Sequence, residues 1–179
     1  MHRVDAIATP LNAVGVAKAV NCVPPVSGIY TIFIDDPANL PGHLCRSWRE
    51  RGSHLLYLGL ASQSLHERLV EQELLHRRPA TFFRSLGAAL GYLPPRGSLV
   101  GKKNQNNYRF SSEDTRRIVE WTQKHVLVRW AEIGARELDD LEKRSIERHQ
   151  PALNIANNPA CCTVLEAARR KCREHAASL

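Results

Sequence analysis

The stretch SGIYTIF, residues 27–33, is a run of β-branched and aromatic residues entered through Gly28, and HLLYLGLAS, residues 54–62, presents a second one. Both read as buried strands, and each sets a tyrosine, Tyr30 or Tyr57, close to a glycine. DDPANLPGHLC between them is loop by its turn residues, with a helical turn at RSWRE. VLVRWAEI, from residue 126, is a third strand with Val126, Val128 and Trp130 on one face, ended by Gly134. Helical patterns surround these strands. PLNAVGVAKAV is stopped by VPP, because proline cannot continue a helix and restricts the residue before it. SLHERLVEQELLHR opens on a capping box of Ser64 and Glu67. TFFRSLGAALGYL, SSEDTRRIVEWTQKH, ARELDDLEKRSIERHQ and CCTVLEAARRKCREHAAS follow. The expected architecture is α/β (α+β), a small three-stranded antiparallel sheet flanked by helices. Residues 1–26 form a helical extension, 27–158 the central domain with a basic helical insertion at about 77–125, and 159–179 a last helix.

Charge is distributed unevenly. The chain of 179 residues carries a formal +7, yet no acid stands between Leu74 and Ser112. That span holds Arg77, Arg78, Arg84, Arg96, Lys102, Lys103 and Arg109, and the other 18 basic residues balance 18 acidic ones. Phe82, Phe83, Tyr92, Tyr108 and Phe110 are interleaved with them. Such a segment is either the footprint of a polyanion binder, with aromatics to stack on bases, or a solvated basic face whose aromatics belong to the core. No apolar run approaches the roughly 20 residues of a membrane span, so a cytoplasmic location is expected. Five cysteines, Cys22, Cys45, Cys161, Cys162 and Cys172, fit reduced thiols better than a disulfide framework. RGSLVGKKNQNN spaces its glycines too tightly for a phosphate-binding P-loop and lacks the Ser/Thr after lysine.

Two polar residues fall on apolar stripes. With about 100° per residue, Leu138, Leu141 and Ile146 define an arc that contains Glu142 and excludes the other charges of that helix. A carboxylate turned toward a core needs a metal ion or an arginine. Arg68 lies likewise among Leu65, Leu69 and Leu75. The two either pair with each other structurally or line a pocket for a phosphate and a cation.

Gly28-Ile29-Tyr30, Tyr57-Leu58-Gly59, Arg68 in SLHERL, and Glu142 in LEKRSIERHQPALN, which ends at Asn154, resemble in order the GIY-YIG nuclease family. The twelve-residue step from Glu142 to Asn154 with Pro151 between belongs to the match, and TFFRSLGAAL is similar to a segment of free-standing bacterial members. The resemblance implies a metal-dependent endonuclease that hydrolyses phosphodiester bonds in DNA, with RNA as another possible substrate. Both tyrosines would converge on one phosphate, their glycines leaving room for a nucleic-acid backbone. It further implies Glu142 as the ligand of Mg²⁺ or Mn²⁺, Arg68 as the transition-state stabiliser, Tyr30 as base with Tyr57 positioning, and Asn154 at the phosphate or metal. Arg77, Arg78, Arg84, Lys102, Lys103 and Arg109 would bind the nucleic acid.

The chain departs from the family's pattern in three places. Leu58 replaces isoleucine, and the step from Tyr57 to Arg68 is one residue longer, which suggests a bulge or longer turn before the helix. One turn after Arg68, Gln72 stands where a histidine or tyrosine is usual, and glutamine cannot shuttle a proton. His76 or His66 would have to substitute; otherwise the chain is a catalytically weakened nucleic-acid-binding module.

Overall fold

The computed structural model describes residues 3–44 and 46–179, apart from the side chains of Arg3 and Asp139; Cys45, one of the five cysteines, lies outside them. Four antiparallel strands form one sheet in the order β1-β4-β2-β3. β2 (Gly28–Ile34), β3 (Leu55–Ala61) and β4 (Val126–Glu132) are the three strands expected from the sequence. β1 (Val14–Gly15) is an addition, two residues paired to Val128 and Leu127 of β4. Two residues carry no periodicity, so the stretch read there as one helix is a strand followed by a helix.

The helices are α1 (Arg3–Ile7), α2 (Val16–Cys22), α3 (Arg46–Glu50), α4 (Thr81–Ala89), α5 (Ser112–His125), α6 (Leu138–His149) and α7 (Thr163–Ala177). Between β3 and α4 the chain forms a π-helix, His66–Leu74, in which the Leu75 N–H donates to the Val70 carbonyl. Local chemistry sets the ends of the others. Val23 caps α2 in an extended conformation ahead of Pro24, and Ser111 Oγ accepts from the Asp114 N–H at the start of α5. α6 ends at Gln150, which takes a left-handed conformation with φ 46° just before Pro151.

Every residue of β2 is buried, because helices cover both faces of the sheet at this central strand. On one face Tyr30, Ile32, Ile34 and Tyr57 join the main core with residues of α2, the π-helix, α4, α5 and α7. On the other face Ile29 and Leu58 pack with Val4 and Ile7 of α1 and with Leu138 and Ile146 of α6. Each such aliphatic residue contributes about 1.5–3 kcal/mol on burial.

β3 would be an open sheet edge, but the segment after α6 runs along it. The Ala152 N–H donates to the Leu55 carbonyl at 3.2 Å and the Leu153 N–H to Leu56 at 2.8 Å. An edge satisfied in this way cannot recruit another strand. It also holds the loop after Pro151 beside Tyr57, where the candidate site is built.

Candidate active site

Register brings the two tyrosines together. Tyr30 lies directly opposite Gly59 and Ile32 opposite Tyr57, so the two phenols are diagonal neighbours on one face. Their rings stack with centroids 6.4 Å apart. The adjacent glycines make room for protein rather than for nucleic acid. A Cβ on Gly59 would come within 2.5 Å of Tyr30 Oη, and one on Gly28 would run into the Ala131 carbonyl oxygen.

Tyr30 has no exposed surface. Its hydroxyl donates to Glu73 Oε1 at 3.2 Å, and Glu73, also fully buried, forms an ion pair of 3.0 Å with Arg68 Nη2. The Phe82 N–H donates to Glu73 Oε2 at 3.1 Å. Arg68 therefore takes a counter-charge from Glu73 on its own helix, with the charge of Glu142 acting on it as well. The π-helix explains this choice. Hydrogen bonds from i to i+5 bring residues five apart onto one face, whereas in an α-helix they would point about 140° apart. Arg68 Nη1 also donates to Gln72 Oε1 at 2.9 Å, so glutamine here braces the guanidinium. Burial works against the charge of Arg68, but Tyr30, Glu73, Tyr57 and Glu142 together raise its pKa, and it stays cationic.

Tyr57, Glu142 and Asn154 line one hollow of about 530 Å³ along β3. Residues of α4 and α7 line it as well. The charge of Glu142 acts on Tyr30, Tyr57 and Arg68, so the carboxylate stands within electrostatic reach of all three. Arg68 itself borders a neighbouring depression with Gln72 and Ser64. Burial, with the charge of Glu73, raises the pKa of both phenols, and both remain protonated at neutral pH.

Asn154 stands in the hollow's wall, but its amide is already used. Oδ1 accepts from the Leu58 N–H and Nδ2 donates to the Leu58 carbonyl, each at 2.9 Å. Asn154 is thus a clamp between the loop and β3. His76 is not at this hollow. It takes a left-handed conformation, φ 51°, stacks on Phe83 at 3.6 Å, and borders a separate depression with Arg77, Arg78 and Arg109. Burial, with Arg84 and Arg109 nearby, lowers its pKa to about 4. The ring nitrogen Nε2 of His66 meets the Val20 carbonyl instead. Neither histidine lines the hollow of Glu142.

The expected nucleic-acid contacts divide among several places. Arg84 borders the Glu142 hollow, while Lys102, Lys103 and Arg109 line another of about 490 Å³. Arg77 pairs with Glu71 at 2.6 Å and Arg78 pairs with Glu67. Phe82, Phe83, Tyr108 and Phe110 are core residues, so they offer no stacking platform. Sequence reasoning missed Glu73, whose five-residue offset from Arg68 is invisible at helical period. It also missed Arg169 of α7, which lies on a buried stripe with Leu165, Cys172 and Ala176. The stripe argument applied to Arg68 and Glu142 would have found it.

No group of three or more His, Cys, Asp or Glu among the described residues could hold a metal ion. The donor set of the hollow, one carboxylate beside a phenol, instead fits a hydrated cation that takes one protein carboxylate and completes its shell from water and phosphate. No helix among the described residues is long and apolar enough to cross a membrane.

No curated protein and no solved structure matches the chain. A family match does exist, to the GIY-YIG catalytic domain over residues 28–174. It takes in both tyrosine strands, Arg68 and Glu142, and continues into α7. With the antiparallel sheet and its flanking helices in place, the chain belongs to the GIY-YIG nuclease family.

Proposed function

We propose that this chain is a Mg²⁺-dependent endonuclease that hydrolyses phosphodiester bonds in DNA, with Mn²⁺ as a substitute ion. The observation that carries the reading is the shared hollow of Glu142 and Tyr57, bordered by arginines and within electrostatic reach of Arg68. Glu142 would hold the ion. A bound Mg²⁺ would supply positive charge against the phosphoryl oxygens as the bond breaks.

The remaining steps fall to this chain's own residues. Arg68 presents a planar donor fork to the phosphate, held in place by Glu73 and Gln72. Tyr57 borders the hollow and orients the phosphate and the attacking water through its hydroxyl. Tyr30 is sealed from solvent and serves by fixing Glu73, so Tyr57 replaces it as the phenol nearest the reaction. Asn154 positions β3, and the basic residues of the 77–125 insertion attract the DNA backbone.

The test is nicking of supercoiled plasmid with Mg²⁺ and with chelator, for the wild type and Glu142→Ala. Cutting is expected only with the ion and only in the wild type, while salt-sensitive DNA binding persists in the variant. Wild-type cutting by Glu142→Ala overturns the assignment. A second reading, a weakened binding module, is favoured by Gln72, which accepts from Arg68 and has no proton to relay. Metal-independent binding without cutting, on DNA or on RNA, would support that reading.

A further inference from the structure

Three arginines, Arg84 of α4 and Arg169 and Arg173 of α7, line the hollow that holds Glu142. Arg169 is only 6% exposed. Its Nη1 donates to Ser85 Oγ at 2.7 Å, and its guanidinium lies over the Tyr108 ring, 5.6 Å from the centroid. Arg84 Nη1 donates to Asn107 Oδ1 at 2.7 Å. The buried Nε atoms of Arg84 and Arg169 have no hydrogen-bond partner. Against these three cations the lining of the hollow presents one carboxylate, Glu142.

Arginine is almost never buried without a counter-charge, and three gathered in one hollow repel one another. Burial and the neighbouring Arg169 lower the pKa of Arg84, against the opposing influence of Tyr108, Glu73 and Tyr57. The contacts of Arg169 with Ser85 and Tyr108 explain how one such residue is tolerated. They do not explain why Arg84 and Arg173 converge on the same space. A polyvalent anion does, because planar guanidinium forks match phosphate oxygens.

We propose that Arg84, Arg169 and Arg173 form a phosphate subsite that grips a non-scissile phosphodiester of the strand whose neighbouring linkage lies at Glu142 and Tyr57. The proposal rests on the nuclease reading for the identity of that strand. The arginines themselves define only the anion. The subsite sets the register of the strand, so that the linkage presented for cutting is counted from the phosphate it holds.

Binding of a labelled duplex oligonucleotide in chelator, over a range of salt concentrations, tests it with Arg84→Gln and Arg173→Gln. Arg169 is left intact because its burial ties it to the fold, and thermal melts check that both variants stay folded. Each variant is expected to weaken binding severalfold and to reduce the slope of log affinity against log salt by about one. A neutral methylphosphonate placed at successive linkages beside the cut should weaken wild-type binding at one position, to which the variants are insensitive. Unchanged slopes in both variants overturn the subsite. Binding of inorganic phosphate that depends on these arginines, without any such effect on the oligonucleotide, overturns the strand as its occupant. If the wild type nicks plasmid and the slopes do not move, the subsite alone falls. If the slopes fall and no nicking occurs, the subsite stands and the endonuclease reading falls.

Discussion

Arg68 and Glu73, five residues apart on one π-helix, form an ion pair of 3.0 Å in which the carboxylate is wholly buried and the guanidinium partly exposed. The asymmetry suits the proposed role of Arg68. An arginine meant to meet a phosphate must be charged, aimed and still accessible, and a buried partner behind it achieves all three. Removing one member of a buried pair leaves the other uncompensated, which typically costs 3–5 kcal/mol. Glu73→Ala is therefore expected to lower unfolding free energy by about 3 kcal/mol and to abolish nicking. Urea denaturation gives the first quantity, and a loss under about 1 kcal/mol would deny Glu73 its anchoring role.

Gly59 is a packing position. Its Cβ would press on Tyr30 Oη and Cζ at 2.5 and 2.6 Å, and β3, held between β2 and the segment after α6, has little freedom to shift. Gly59→Ala is expected to cost about 1–3 kcal/mol, the range of overpacked cores. Pairing it with Tyr30→Leu should recover part of that loss. A double-mutant cycle with no coupling between the two would show that the ring does not occupy the space the glycine vacates.

Asn154→Ala removes both contacts to Leu58 and leaves a buried N–H and a buried C=O without partners, at about 1–3 kcal/mol each. Stability should therefore fall. The concentration of Mg²⁺ needed for half-maximal nicking should not move, because the amide touches β3 and not the ion. A large shift in that metal dependence, with stability intact, would restore Asn154 to the site's chemistry.

His76 makes stability depend on pH. Its folded pKa of about 4 lies below the unfolded value of 6.5, so the folded state favours the neutral ring. The contribution is fully present above pH 6.5 and is lost as pH falls toward 4. Because the ring is partly exposed, the expected loss is discounted to about 1–2 kcal/mol. Unfolding free energy measured at pH 7.5 and pH 4.5 should converge for His76→Phe relative to wild type. An equal pH dependence in the two proteins would assign the effect elsewhere.

Much of this arrangement was legible in the chain itself. Three of the four strands, the order of the helices, and the placement of Arg68 and Glu142 on apolar stripes follow from periodicities that a backbone imposes wherever it folds. The two tyrosine motifs, with Arg68 and Glu142 in order, were enough to indicate the family that the match over residues 28–174 establishes. What the sequence could not decide were the partnerships. Arg68 reaches Glu73 because a π-helix changes which residues share a face. Asn154 turns to Leu58 because the edge of β3 needs covering, and His76 turns away because a left-handed residue redirects the chain. Side-chain pairing depends on distances across elements far apart in sequence. Those distances exist only once the sheet, its register and its covering helices have formed together.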